Sequence, residues 1–422
     1  MTLTFSRFLD AEWQPALGCT EPASIAYAAA SAAARAAGSV RRIHLTCDPR
    51  IYKNCYAVGI PHSGHKVGIR WALAIGALLP DPEARLECFK QIDADILSRA
   101  GELIEAGALS VSVDASRTGL LVDCAVEGAD GAGRAVIQHD HTRVVRLERD
   151  GQVELDASEG DGDSAPPSIR SELAGLPFED LVALSRDLTD GDRVRLGRGV
   201  RLNLAIARHG LSLFPERFVE MAEREPLTRI SRLVCAGVYA RMWGEDFRVM
   251  SLAGSGNKGI VCAVPMSQWG LELGADQRRI DEALALACVV TSATTFHLGP
   301  LSAVCGCSNA AGIGLAAGLV HLEGGGPREI SLAINNMVGN VTGMVCDGAK
   351  IGCALKTMTS VDAAFRAASL ALSGIGIPVT DGIVGETGMA SLSNLGRLAT
   401  RGMVSVDAEI LEIMQEKLRG SR

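Results

Sequence analysis

The sequence has no basic run. Its 41 Lys and Arg are scattered among 49 Asp and Glu, giving a net charge of −8 and a pI near 5.6. That distribution favours neither nucleic acid nor an anionic membrane, and a small-molecule partner is the expectation. The opening M-T-L-T-F-S-R-F-L-D-A-E-W lacks the basic end, apolar run and small-residue cleavage site of a signal peptide, so a cytoplasmic location is expected. Also missing is a span of about 20 continuously apolar residues. The most apolar windows, 283–296 and 301–322, are rich in Ala, Gly, Cys, Thr and Ser and read as buried helices. No repeat of fixed period is present. What the chain does have is 422 residues, 47% of them hydrophobic and 21% charged, enough for a large core in two lobes. Its twelve cysteines, in a chain expected in the cytosol, argue against a disulfide framework and for buried thiols or metal ligation.

The stretch 301–356 gathers the most suggestive of those cysteines. It begins L-S-A-V-C-G-C-S-N-A-A-G and ends G-M-V-C-D-G-A-K-I-G-C-A-L-K, offering Cys305, Cys307, Cys346 and Cys353 beside small residues that let a bulky object approach. Soft-metal sites are built this way from loops and helix starts. Zinc prefers tighter C-x2–4-C pairs, an iron–sulfur cluster tolerates wider spacing, and scattered core thiols fit as well. All three readings stand on spacing alone. A cluster held by only three cysteines would leave one iron open as a Lewis acid.

Taken in order, the chain opens with a short helix around 5–13, broken by Pro15 and Gly18. Thr20, Glu21 and Pro22 then look like the first turn of an Ala-rich helix over 23–37. This places Cys19 at a helix N-terminus, where the dipole lowers a thiol pKa; the plain alternative is a small buried residue in a turn. Alternation over 42–47 predicts a strand, followed by a loop rich in Gly, Pro and His. His62 and His65 in that loop lack a third ligand nearby, so an exposed binding loop is the better reading. Helices are expected at 67–79 and 82–105, strands at 110–113 and 120–126, and a hairpin of 135–148 with 153–155 around the turn 149–151.

The run A-S-E-G-D-G-D-S-A-P-P-S has the composition of a linker. The expected organisation is therefore an α+β lobe over 1–157 with a small antiparallel sheet, a linker at 158–168, and a mainly helical lobe over 169–422 carrying the cysteine site. Helices are read at 171–186, 193–209, 228–243, 278–295, 302–322, 328–338, 354–372, 387–398 and 407–418. G-S-G-N-K-G at 254–259 has the letters of a dinucleotide fingerprint, but the β-branched run 260–266 does not read as the required helix, and no parallel βαβ pattern surrounds it. Backbone N–H groups with Ser255, Asn257 and Lys258 would suit a small carboxylate instead. Lys356 invites a pyridoxal phosphate reading, but no phosphate-binding loop accompanies it, and a helix-surface lysine is the expectation.

P-A-L-G-C-T-E-P at 15–22, V-G-I-P-H-S-G at 58–64, H-T-R-V-V at 141–145, G-S-G-N-K-G-I at 254–260, L-S-A-V-C at 301–305 and G-M-V-C-D-G-A-K-I-G-C-A-L-K at 343–356 occur in that order. Together they resemble the L-cysteine desulfidase family, also called serine dehydratase alpha-chain-like, over essentially the whole chain. The resemblance implies an oxygen-sensitive [4Fe-4S] cluster on Cys305, Cys346 and Cys353, with Cys19 beside the substrate as acid or base. Cys307 is an alternative third ligand. The second histidine in P-H-S-G-H and Arg143 after His-Thr depart from the common form and bear on the substrate.

The expected reaction is β-elimination from a small amino acid, L-cysteine giving pyruvate, ammonia and hydrogen sulfide, with L-serine dehydration as the runner-up. A non-catalytic iron–sulfur sensor is the alternative of another class. Cys19 is the candidate base, Ser255, Asn257 and Lys258 the carboxylate contacts, and Thr20, Glu21, Asn54 and His141 further polar contacts. A homodimer is compatible with the sequence and not determined by it.

Overall fold

The computed structural model describes residues 3–79, 81–117, 119–157, 168–222, 225–299 and 302–420. The architecture is α+β, a six-stranded sheet with its own helices followed by a helical assembly. The linker run lies outside the described residues except at its two ends.

Strand Val40–Cys47 is the pivot of the sheet. It pairs parallel with Leu109–Val113 on one side and antiparallel with Leu121–Gly128 on the other, and Ala132–Gln138, Val144–Arg149 and Gln152–Asp156 extend the meander. Ile43, Leu45 and Cys47 alternate inward and are fully buried, as period-two patterning requires. The Ala-rich helix Thr20–Ala33 and helix Ile69–Leu78 complete this core, since small side chains let elements pack close together.

The second core is helical and larger, with Gly256–Glu272, Gln277–Leu298 and Asn309–Leu322 buried over most of their surfaces. The two chain ends cross over. Phe5, Phe8, Leu9 and Trp13 belong to the helical core, and strand Trp13–Leu17 pairs antiparallel with Arg248–Leu252. At the other end, Met414 of helix Val404–Gly420 belongs to the sheet core. Among the described residues no helix is long and apolar enough to cross a membrane.

Several expectations need correction. The region expected as a helix over 82–105 is a 3-10 segment, Pro82–Gln91, kinked at Arg85 with φ +48°, followed by Ala94–Glu105. The strand read over 135–148 is two strands separated by a turn in which Asp140 accepts from Thr142. The loop after residue 47 contains a helix, Pro49–Cys55, capped by Asp48. The helix expected from 302 begins only at Asn309, because residues 303–305 run extended against 344–346. The β-branched run 260–266 is helical, with Pro265 inside it; complete burial of Ile260, Val261 and Val264 overrides weak local propensity.

Candidate active site

One cavity of 380 Å³ lies between the two cores, and its wall includes Cys19, Cys305, Cys307, Cys346 and Cys353. A short antiparallel bridge, Val304 with Val345, builds the centre: the Cys305 amide donates to the Met344 carbonyl at 2.8 Å and the Cys346 amide to the Ala303 carbonyl at 2.6 Å. Cys353 is the first residue of helix Cys353–Leu372, and Cys307 lies just ahead of Asn309–Leu322. Cys19 is the N-cap of Thr20–Ala33, and Ser255 is the N-cap of Gly256–Glu272 with its hydroxyl 3.4 Å from Cys307 Sγ. Four helix N-termini thus meet at the cavity, and their positive ends favour thiolates and anions.

The loop between Cys346 and Cys353 is pinned from both sides. Gly348 has φ +90°, and a Cβ there would fall 2.0 Å from the Lys53 carbonyl oxygen, so only glycine fits. Lys356 Nζ donates to the Val345 carbonyl at 2.8 Å and pairs with Asp347, which also receives Lys350. Lys356 is therefore a brace for the cysteine loop, not the free helix-surface lysine expected.

All twelve cysteines are free thiols. Burial pushes Cys19 up to about 11, against the opposing pull of Arg241. The lowered Cys19 pKa expected from a helix N-terminus is thus reversed, because desolvation of the thiolate outweighs the dipole. Burial likewise pushes Cys305 up to about 12, with Cys346 and Cys307 adding to the shift. Burial, Cys305, Cys307 and Cys346 all raise Cys353.

The sequence-expected polar residues divide into groups. Glu21 accepts from Asn54 Nδ2 at 3.1 Å and from Thr20 Oγ1 at 3.2 Å, so Thr20 and Asn54 serve its carboxylate. Burial pushes the Glu21 carboxyl up, but His141, Arg50 and Arg241 outweigh it and the net shift is downward. His141 is not on the cavity wall; its carbonyl accepts from Ser24 and its Nε2 is buried without a partner among the described residues. Lys258 is 7% exposed and donates to the Ala253 carbonyl at 3.2 Å and Thr295 Oγ1 at 3.0 Å. Burial brings its ammonium down to about 8. Asn257 Oδ1 accepts from Arg241 Nη1 at 3.0 Å. His62 and His65 do not line the cavity; His62 pairs with Asp246 at 3.2 Å and His65 stacks on Trp243.

Sequence reasoning missed Arg50, Lys53, Arg170 and Arg241 on the wall. Arg170 pairs with the buried Glu12 at 2.8 Å, and Lys53 with Asp407. Arg241 donates to the Gly18 carbonyl at 2.8 Å, and its guanidinium lies on Gly256, where a Cβ would fall 2.5 Å from Nε. Nothing local marks it, since it sits inside helix Pro226–Trp243 and Gly18 is 223 positions away.

Among the described residues no three His, Cys, Asp or Glu side chains converge to hold a single metal ion. A mononuclear site needs that convergence, whereas a cluster keeps its thiolates apart by its own bulk. Four thiols on one wall, Cys307 and Cys353 at helix starts and Cys305 and Cys346 on the bridge, are a donor set that suits an iron–sulfur cluster.

Residues 186–412 match the family model described as serine dehydratase alpha chain. Over 417 residues the chain is 38% identical to a UPF0597 protein of Geobacter sulfurreducens, covering 97% of each. It is 35% identical to one of Desulfotalea psychrophila, covering 99% of each, and 33% identical to one of Caldanaerobacter subterraneus, covering 98% of this chain and 99% of the relative. The order of motifs, the fold and these matches agree, and they make the chain a relative of dehydratases and lyases: it belongs to the serine dehydratase alpha-chain family.

Proposed function

We propose that the chain is an iron–sulfur-dependent β-eliminating lyase that converts L-cysteine to pyruvate, ammonia and hydrogen sulfide. The observation that carries this reading is the meeting of the Cys19 turn with Cys305, Cys307, Cys346 and Cys353 on one cavity wall, although Cys19 and Cys305 are far apart in sequence. Cys305, Cys346 and Cys353 would hold a [4Fe-4S] cluster, with Cys307 the alternative to Cys305. When bound, a cluster with one open iron supplies Lewis-acid help to the departing β-substituent.

The remaining work falls to side chains. Cys19, buried and beside Arg241, is the proton-transfer residue at the substrate: its thiolate accepts the α-proton, the electron pair forms the Cα–Cβ double bond, and the Cβ–S bond breaks. Aminoacrylate then tautomerises and takes up water to give pyruvate and ammonia. With its pKa near 11, Cys19 must first lose a proton, and the positive helix ends and Arg241 are what favour that loss.

L-serine is the second reading, favoured by the description of the matching family model. Anaerobic incubation with L-cysteine and L-serine side by side, following sulfide and pyruvate, tests both. Clear turnover of cysteine is expected. Turnover of serine alone would move the chain to the hydro-lyases, and neither product from protein with intact iron and sulfide would reject the lyase reading.

A further inference from the structure

Four charged groups on the cavity wall, Glu21, Arg50, Arg241 and Lys258, form no ion pair among the described residues, and Glu21 is the one anion among them. Arg241 is 5% exposed; it donates to the neutral Asn257 side chain and Gly18 carbonyl and lies beside the Cys19 thiol. A guanidinium has five N–H donors, and two are used here. Its Nε is buried without an acceptor. Glu21 receives only the neutral donors Asn54 and Thr20. Neither group forms an ion pair among the described residues, with each other or elsewhere, whereas the neighbouring Arg170 and Lys53 are both paired. Arg50, Arg241 and His141 act on the Glu21 carboxylate without contact ion pairs, so its oxygens and the unused Arg241 protons are both open to a ligand carrying the two opposite charges.

We infer that the cavity recognises a zwitterionic α-amino acid through its two charges, Arg241 taking the carboxylate and Glu21 the ammonium. This deepens the lyase reading and rests on it for the identity of the reacting β-substituent. Arg241 is better suited than its cationic neighbours. Lys258 directs Nζ at Ala253 and Thr295, and Arg50 is half-exposed with no clamp on its guanidinium among the described residues. Arg241 is held from two sides and can present its remaining Nη protons in one orientation, as a carboxylate fork requires. Asn257, expected to touch the substrate, becomes the residue that positions Arg241.

The test uses protein isolated without oxygen and L-alanine, a zwitterion with no leaving group, beside propionate and ethylamine, which each carry one of its charges. Wild type is expected to bind L-alanine far more tightly than either fragment. Arg241→Gln should weaken L-alanine by about thirtyfold or more and leave ethylamine unchanged; Glu21→Gln should weaken L-alanine similarly and leave propionate unchanged. Asn257→Asp guards against misfolding: it gives Arg241 an internal carboxylate, so thermal stability should hold or rise while L-alanine binding falls. Unchanged L-alanine binding in Arg241→Gln or Asn257→Asp overturns the inference, as does loss confined to Arg50→Gln or absence of L-alanine binding by wild type. Turnover separates the two levels. Binding in this pattern without elimination from cysteine or serine rejects the lyase reading alone. Elimination from cysteine with unchanged KM in Arg241→Gln rejects this inference alone.

Discussion

The thiols of the sheet core are fully buried, while in the cavity Cys19, Cys305 and Cys353 are buried and Cys307 and Cys346 are part-buried; the two sets also differ in what surrounds them. Cys47, Cys55, Cys88 and Cys124 are 0% exposed among aliphatic side chains. Burial raises all four, and the only charged neighbour acting on Cys47 or Cys124 is an aspartate that raises it further. Burial also raises Cys19 and Cys307, but there Arg241 and, for Cys307, Lys258 pull the other way. Cys19 and Cys307 thus differ from the sheet-core thiols in the cations and helix N-termini that face the sulfur, the surroundings that favour a thiolate.

Removing one thiol from the cavity and one from the sheet core should have opposite effects on bound iron. Cys346→Ala or Cys353→Ala should lose bound iron, acid-labile sulfide, visible absorbance and turnover together. Cys124→Ala should keep all four and lose about 1–3 kcal/mol of stability in denaturant titration. Iron retained at the wild-type level in Cys346→Ala would place the cavity thiols with the core ones. Next in size, Cys19→Ala should retain iron and absorbance while kcat falls by about 10²–10⁴. Cys305→Ala and Cys307→Ala then divide the C-G-C pair, since iron stoichiometry should collapse in one and survive in the other. Equal loss in both would mean that the loop, not one sulfur, is what the site needs.

The smallest expected effect is a pH dependence belonging to the core. Burial pushes Cys88 and Cys262 up to about 12 and Cys235 up to about 11, from 9.0. In the unfolded chain these thiols ionise above about pH 9, while in the folded protein they keep their protons longer. The unfolded state then binds fewer protons, so the stability they contribute is present below pH 9 and is lost as pH rises through 11 to 12. Denaturation midpoints should fall over that window, and less steeply in Cys88→Ala. An unchanged slope in that variant would remove Cys88 from the account.

Much of the fold was legible because it follows local rules. The alternation of Ile43, Leu45 and Cys47 and the helix start at Cys19 both appear in place. Legibility failed where distant burial overruled a local signal, as for the run containing Val261 and Val264, which looks like a strand and is a helix. The site divides in the same way. Cys19, Ser255, Cys305, Cys346 and Cys353 stand in short motifs and do line one cavity. Arg241 was invisible because it is one basic residue of an ordinary helical pattern, and its partners arrive from Gly18 and Asn257. The residues that position a site leave little trace in sequence when every partner is remote.

The crossing of the chain ends has a consequence for biosynthesis. Phe5, Phe8, Leu9 and Trp13 leave the ribosome well before strand Arg248–Leu252 and the helices that cover them. At about 5–20 residues per second, that apolar face waits on the order of ten to fifty seconds for its partners. Helix Val404–Gly420, which ties Asp407 to Lys53 at the cavity edge, is made after every cysteine of the wall. The cysteines of the wall are thus all synthesised before the helix that clasps the cavity edge, so their loops meet that clasp only after their own residues are made.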